Sequence, residues 1–427
     1  MALFDTVIKD GTGADGTGRP RGDVGIKADV DLDTLDLSDL GHFAYGPPHE
    51  LFARMRAEVP VHLNRCPDGA TFWNITRAED IIEISRDAET WSSERGGVWF
   101  RPDTLFKLEV GRSLLLFKDP PGHTTYRNIL RTAFLPRIVT SLDEQIEEIV
   151  TARLDALVAL GEGDLVTDLA VPVPLNVITR ILGVPDEDMH LLLRWTEQLE
   201  RGLTLGHDAD PILAEMGGYF AQLVADERVR GEDSLTNALF AAEVDGVRLN
   251  ELEIAIFFSI LVFAGNDTTR NAFSGGMQAL IEHPDQLERL RREPELMQDA
   301  VEEILRWTTP LNYFARTATR DTEVRGVPIA EGERVVMWHT AGNRDPDFFP
   351  DAERFDITRH RAAHTTFGGG GPHYCLGAHL ARRELTVLLH QTLARLHDLE
   401  IAGPPAKVLS TWVNALTSLP IRFTAAG

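Results

Sequence analysis

Residues Phe367 to Glu384 read Phe-Gly-Gly-Gly-Gly-Pro-His-Tyr-Cys-Leu-Gly-Ala-His-Leu-Ala-Arg-Arg-Glu, and no other stretch of the chain restricts its fold so strongly. Four consecutive glycines, Gly368 to Gly371, open backbone conformations closed to other residues and let the chain approach a bulky partner closely. Past Cys375, residues Ala381, Leu385, Leu388 and Leu389 fall at helical spacing, so the cysteine stands at or just before a helix N-terminus. The helix-end dipole and its free N–H groups are expected to lower the thiol's pKa and accept a thiolate's charge. The chain must therefore build a rigid turn that presents one anionic sulfur.

That sulfur admits several uses. A nucleophile needs a base, and His373, two residues away within the same turn, is awkwardly placed to be one. Zinc wants further Cys or His ligands, yet the other of the two cysteines, Cys66, lies far earlier and in no ligand cluster. A thiolate that serves alone points to haem iron, whose equatorial ligands come from the porphyrin. A small inert cysteine buried in a glycine-rich loop is the ordinary alternative.

The pattern Gly-x-Gly-x-His-x-Cys-x-Gly, from Gly369 to Gly377, resembles the haem-binding loop of the cytochromes P-450. One departure is visible: the family's phenylalanine usually lies seven residues before the cysteine, where this chain has Gly368, with Phe367 one place earlier. The resemblance implies Cys375 as the proximal iron ligand, with Phe367, His373 and Gly377 as cofactor contacts.

A second constraint is the helix expected from Asn250 to Ile281, about 45 Å long at 1.5 Å per residue. Asn250 and Glu253 form an N-cap pair, and Ile254 to Ala264 is apolar on every face, which marks a helix buried at the centre of the molecule. Polar residues follow at once in Gly265-Asn-Asp-Thr-Thr, where they must be satisfied or functional. The segment Ala264, Gly265, Asn266, Asp267, Thr268 is similar to the family's distal motif. The resemblance implies that Ala264 and Gly265 lie over the haem, that Asp267 supplies the proton pathway and that Thr268 holds the activated oxygen with its water. A hydroxyl bonded back to its own helix is the plain alternative for Thr268.

The weaker motifs come in the family's order. His123 and Arg127, one turn apart after Asp119-Pro-Pro-Gly, read alone as a solvated face. With Arg316 in Phe314-Ala-Arg-Thr and with His373 they are, by resemblance, cationic partners of the haem propionates. Glu303 and Arg306, three apart on a helix between Pro294 and Pro310, suit a bidentate pair. In the family this pair locks to an arginine ahead of the haem loop, and Arg354 of Asp351-Ala-Glu-Arg-Phe is the matching position.

The chain has 427 residues, 43% of them hydrophobic, enough for a large core, and no shift in composition after residue 40 splits it. Residues 1–30, rich in glycine and aspartate, are expected to form a flexible tail. Within them Thr6-Val-Ile-Lys-Asp-Gly and Gly22-Asp-Val-Gly-Ile-Lys resemble the first hairpin of amidohydrolase-type enzymes, with none of that family's metal ligands following. Residues 31–427 are expected to be one cytochrome P-450 monooxygenase domain, mostly α with a small β region, enclosing haem b. Two distant cysteines give no disulfide framework, and the N-terminal residues read as neither signal peptide nor anchor, so a cytoplasmic protein without membrane insertion is expected. A formal net charge of −24 argues against nucleic acid as a partner. The resemblance implies electrons from a separate ferredoxin and ferredoxin reductase fed by NAD(P)H, with O2 as co-substrate. Arg127, Arg131, Arg137, Arg382 and Arg383 are candidates for the docking patch.

The loop and helix motifs are most similar to bacterial members that hydroxylate sterol side chains, methyl-branched lipids and terpenoids. Candidate pocket residues are Val98, Trp99 and Phe100 in a covering loop, Ile260 and Phe263 on the long helix, Leu311 and Phe314, and Ala415 with Leu416. Two rival functions keep the same thiolate: a peroxide-driven peroxygenase, and a non-catalytic haem carrier or sensor.

Overall fold

The computed structural model of the chain describes residues 30–101, 108–112, 114–131, 142–205, 209–226, 235–360 and 363–426. The expected tail, apart from Val30, and Arg137 of the expected docking patch lie outside the described residues.

Helices dominate. The first half carries α1 (His49–Glu58), α2 (Ala78–Arg86), α3 (Gly122–Arg131), α4 (Asp143–Leu160), α5 (Pro172–Leu182), α6 (Met189–Leu205) and α7 (Asp210–Ala225). The second half carries α8 (Leu235–Ala241), α9 (Glu251–Glu282), α10 (Pro284–Arg292), α11 (Met297–Thr308) and α12 (Ala378–Arg395). The axis of the molecule is α9, 32 residues without interruption. Its start is fixed by the expected reciprocal cap: the Glu253 N–H donates to Asn250 Oδ1 at 3.0 Å, and the Asn250 N–H to Glu253 Oε2 at 2.9 Å. By length and composition α9 could cross a membrane. Here it is a core helix, flanked by α5, α7, α11 and α12. Small residues set that packing: a Cβ at Gly276 would stand 2.5 Å from Ile304 Cγ2 on α11.

Against this bundle lies a five-stranded sheet in the order β1 (Val61–Arg65), β2 (Thr71–Ile75), β8 (Arg334–Trp338), β5 (Tyr313–Ala318), β3 (Trp91–Ser92). The pairs are antiparallel except β2 with β8. Register places Phe314 opposite Met337 and Arg316 opposite Val335. Because side chains alternate along a strand, Val335 and Met337 join one core cluster while Val336 and Trp338 join the central one. The helix expected from Pro294 begins at Met297, since Pro294–Leu296 closes a separate 3-10 turn.

Candidate active site

The glycine loop takes the shape its sequence requires. Gly368 to Gly371 all have positive φ, from +67° to +104°. At Gly371 the requirement is also steric, because a Cβ there would stand 2.2 Å from the Ser85 carbonyl oxygen at the end of α2. The turn closes with the Cys375 N–H donating to the Phe367 carbonyl at 2.9 Å, so the displaced Phe367 supports the cysteine through its backbone. Its ring lies under the Arg382 guanidinium, 4.4 Å from its centroid. Gly377 is the N-cap of α12.

The Cys375 sulfur receives backbone N–H groups of Gly377 and Ala378, as the helix-start reading requires. Its pKa moves the other way from that expectation: burial pushes the thiol up, against those donors and the charges of Arg127 and Arg382. Desolvation of the charged form outweighs the helix end in the absence of a metal. Cys375 nonetheless retains accessible surface, although the protein packed round it is enough to desolvate the thiol.

Accessible surface also appears within α9. Ala264 is exposed in the middle of this otherwise buried helix, and Ile260, Leu261, Gly265 and Thr268 are half-buried. Gly265 has a packing reason of its own, since a Cβ there would meet Ile178 Cδ1 at 2.9 Å. Asp267 is buried, 3.6 Å from the Arg270 guanidinium and 3.4 Å from the Asn266 amide. The Thr268 hydroxyl donates to the Ala264 carbonyl at 2.7 Å, the helix-local bond.

A second group of predicted residues converges beside the cysteine loop. The rings of His123 on α3 and His373 in the glycine loop pack at 4.2 Å. His123 is 1% exposed with both ring nitrogens unpartnered. Burial, then the charges of Arg127 and Arg316, push its pKa down to about 4. Arg316 is buried on β5, its own pKa pushed down to about 10 by burial, and its Nη1 donates to the adjacent Ala315 carbonyl at 2.7 Å. The carboxylate that acts on Arg316, Asp119, is already bonded to Ser92 and Ser93. The buried Arg316 guanidinium, the half-buried Arg127 and the unpartnered His123 imidazole, beside a His373 ring held by the Ser93 hydroxyl at 3.2 Å, form a cluster that needs an anion. Together with the enclosed sulfur, that donor set fits a flat, apolar-bodied group carrying a soft metal and carboxylates, which is haem.

The support beneath the loop corrects one expectation. Glu303 and Arg306 form the bidentate pair, both contacts 2.7 Å and both side chains at most 1% exposed. The arginine that joins them is Arg359, whose Nε lies 3.2 Å from Glu303 Oε2. Arg354 is exposed and contributes its carbonyl to Arg306 Nη2 at 3.2 Å. The turn at Asp351, φ +52°, points the Arg354 side chain outward and returns the chain so that Arg359 faces inward. Sequence reading also missed Asn343. Its Oδ1 accepts the Thr365 N–H at 2.7 Å and its Nδ2 donates to Thr309 and Thr366, tying the entry of the glycine loop to α11. No local signal marked it, since Asn343 stands in the polar segment His339 to Asp347 that follows β8.

Of the expected pocket residues, Phe100, Ile260, Leu311 and Phe314 keep partial surface. Val98, Trp99, Phe263 and Ala415 are buried in the same central cluster. Leu416 is directed to the second cluster, because β11 (Leu416–Ser418) runs against the helical turn Val166–Ala170 and α9. The residue overlooked is Trp412, which stacks on Phe263 at 5.9 Å and meets Trp99 and Phe314 edge-on at 6.0 and 6.1 Å. In the expected docking patch, Arg382 is paired with Glu302 and Arg383 with Asp143, leaving them partly neutralised.

A cytochrome P450 family model matches residues 221–407. A steroid C26-monooxygenase of Rhodococcus jostii is 36% identical over 92% of this chain and 86% of that protein. A methyl-branched lipid omega-hydroxylase of Mycobacterium tuberculosis is 35% identical over 95% of this chain and 97% of that protein. Among solved structures, a Mycobacterium marinum cytochrome P450 in complex with pseudoionone is similar at a TM-score of 0.79, with 35% identity over 87% of this chain and 94% of that one.

Proposed function

Since the chain belongs to the cytochrome P450 family, a family of haem monooxygenases, we propose that it hydroxylates an elongated apolar substrate: a sterol side chain, a methyl-branched lipid or a terpenoid. The observation that carries this substrate class is that the partly exposed side chains Phe100, Ile260, Leu261, Leu311 and Phe314, all packed on the central core cluster, are all hydrocarbon. A steroid and a methyl-branched lipid, named for two relatives, are the first chemotypes to test.

Cys375 would ligate the iron, Arg127, Arg316, His123 and His373 would hold the propionates, and Ala264 and Gly265 would border the opposite face. When bound, the haem supplies a thiolate-ligated iron that activates O2 with two electrons and delivers one oxygen atom to a C–H bond. The chain's own residues do the rest. N–H groups of Gly377 and Ala378 hold the sulfur. Thr268 donates its proton to the Ala264 carbonyl, which leaves the hydroxyl oxygen as an acceptor that orders water beside Asp267. Asp267, held by Arg270 and Asn266, passes protons to that water. The aromatic group at Trp412 excludes bulk water from the reacting C–H bond. Electrons come from a ferredoxin and its reductase, fed by NAD(P)H, and the protein works in the cytoplasm.

The test is a titration of the ferric Soret band with sterols, branched fatty acids and linear terpenoids, followed by turnover with ferredoxin, reductase and NADH. A low- to high-spin shift and hydroxylated product with one class support the proposal. No shift in haem-loaded protein removes the substrate reading, and turnover with peroxide alone favours the peroxygenase. Thr268→Ala should keep the spin shift yet divert most NADH to hydrogen peroxide. An unchanged product-to-NADH ratio would remove Thr268 from the proton path.

A further inference from the structure

His339 is a fully buried histidine that no motif predicted. It opens the helical turn directly after β8, is 2% exposed, and has neither ring nitrogen bonded to any described residue. Buried imidazoles without a partner are uncommon, because each polar atom removed from water demands compensation. The surroundings say what the partner is. The His339 ring packs edge-on against Phe314 with centroids 5.9 Å apart. Phe314 and Arg316 are two residues apart on β5, so their side chains leave the same face of the strand. His339 therefore stands on the face from which Arg316 projects, near enough to feel its charge. Its backbone is fixed to the cysteine loop as well, since its carbonyl accepts the Asn343 N–H at 2.8 Å and the Thr365 hydroxyl at 3.4 Å.

We propose that His339 is a further haem-binding residue, whose ring N–H donates to the propionate held by Arg316, or to a water on it, from the β8 side while His123 and His373 serve from the α3 side. Two imidazoles without a partner among the described residues, His339 and His123, then stand near one buried guanidinium, while His373 is already held by the Ser93 hydroxyl, and the carboxylate satisfies the unpartnered pair. A cationic imidazole is not required. Burial and the Arg316 charge hold the ring neutral, and a neutral ring keeps one N–H to donate. The inference rests on haem binding but not on the choice of substrate.

The test uses holoenzyme of the wild type and of His339→Phe, His339→Ala and His339→Gln. Haem transfer to excess apomyoglobin gives the release rate, and resonance Raman spectroscopy gives the propionate bending bands. His339→Phe fills the same space without a donor and should release haem about ten-fold faster, with a shifted propionate band. His339→Gln retains an N–H and should restore both. The carbon monoxide complex of the ferrous protein should keep its thiolate signature in every variant. Loss of that signature in the wild type would instead defeat the assignment of Cys375. If His339→Ala does not fold, the Phe and Gln pair still decides. A His339→Phe holoenzyme with wild-type release rate and propionate bands overturns the proposal and leaves His339 as a packing residue.

Discussion

Glu384 lies on α12, in the helix that starts at the cysteine, and is 2% exposed with its Oε2 buried and unpartnered among the described residues. Burial alone pushes its pKa from 4.5 up to about 8. The folded protein therefore holds this proton until about pH 8, while the unfolded chain releases it near pH 4.5. Between those values the native state binds more protons, so stability falls as pH rises. At about 1.4 kcal/mol per pKa unit the loss has a ceiling of about 5 kcal/mol, and relaxation of the interior around the charge reduces it to about 2 kcal/mol. Glu384→Gln keeps the shape and removes the ionisation. Urea unfolding of both holoenzymes, followed by tryptophan fluorescence between about pH 5 and about pH 8, should show the variant gaining on the wild type by about 2 kcal/mol or more toward the alkaline end. Parallel curves across that range would refute the reasoning, since a group that titrates identically in both states gives no such slope.

Arg306→Ala, which leaves Glu303 buried beside one remaining arginine, should cost about 3 kcal/mol or more in urea unfolding. Arg359→Ala should cost about 1–3 kcal/mol, whereas Arg354→Ala should stay within about 0.5 kcal/mol of wild type because only its carbonyl is used; the reverse ranking would restore Arg354 to the triad. Gly371→Ala forces a side chain onto the Ser85 carbonyl at a φ of +76°, and should lower the fraction of purified protein that carries haem, read from the Soret-to-protein absorbance ratio. Phe263→Ala removes the ring stacked on Trp412 and should destabilise the fold by about 3 kcal/mol while raising the affinity for the bulkiest sterol in the spin-state titration.

Much of the architecture was legible because it is written in local chemistry. The cap at Asn250 and Glu253 and the apolar run that follows appear where capping and periodicity place them. The four glycines announced their backbone conformation, and the structure adds the contact with Ser85 that makes the last of them obligatory. Residues 102–107, which follow the expected covering-loop residues Val98, Trp99 and Phe100, lie outside the described residues, and Phe100 before them keeps partial surface.

What the sequence determined by itself is the cysteine at a helix start, the long central helix with its Asp267-Thr268 pair, and the bidentate Glu303-Arg306 couple, because each depends on residues within a turn or two of one another. Tertiary structure decided which arginine reaches Glu303, why Cys375 titrates upward, that Trp412 and not Leu416 faces Phe263, and that His339 and Asn343 stand at the site. Those choices turn on which distant strands and turns become neighbours and on how completely water is excluded between them. Neither the packing partner nor the desolvation of a group is encoded in its own segment; both arise only when the whole chain has folded.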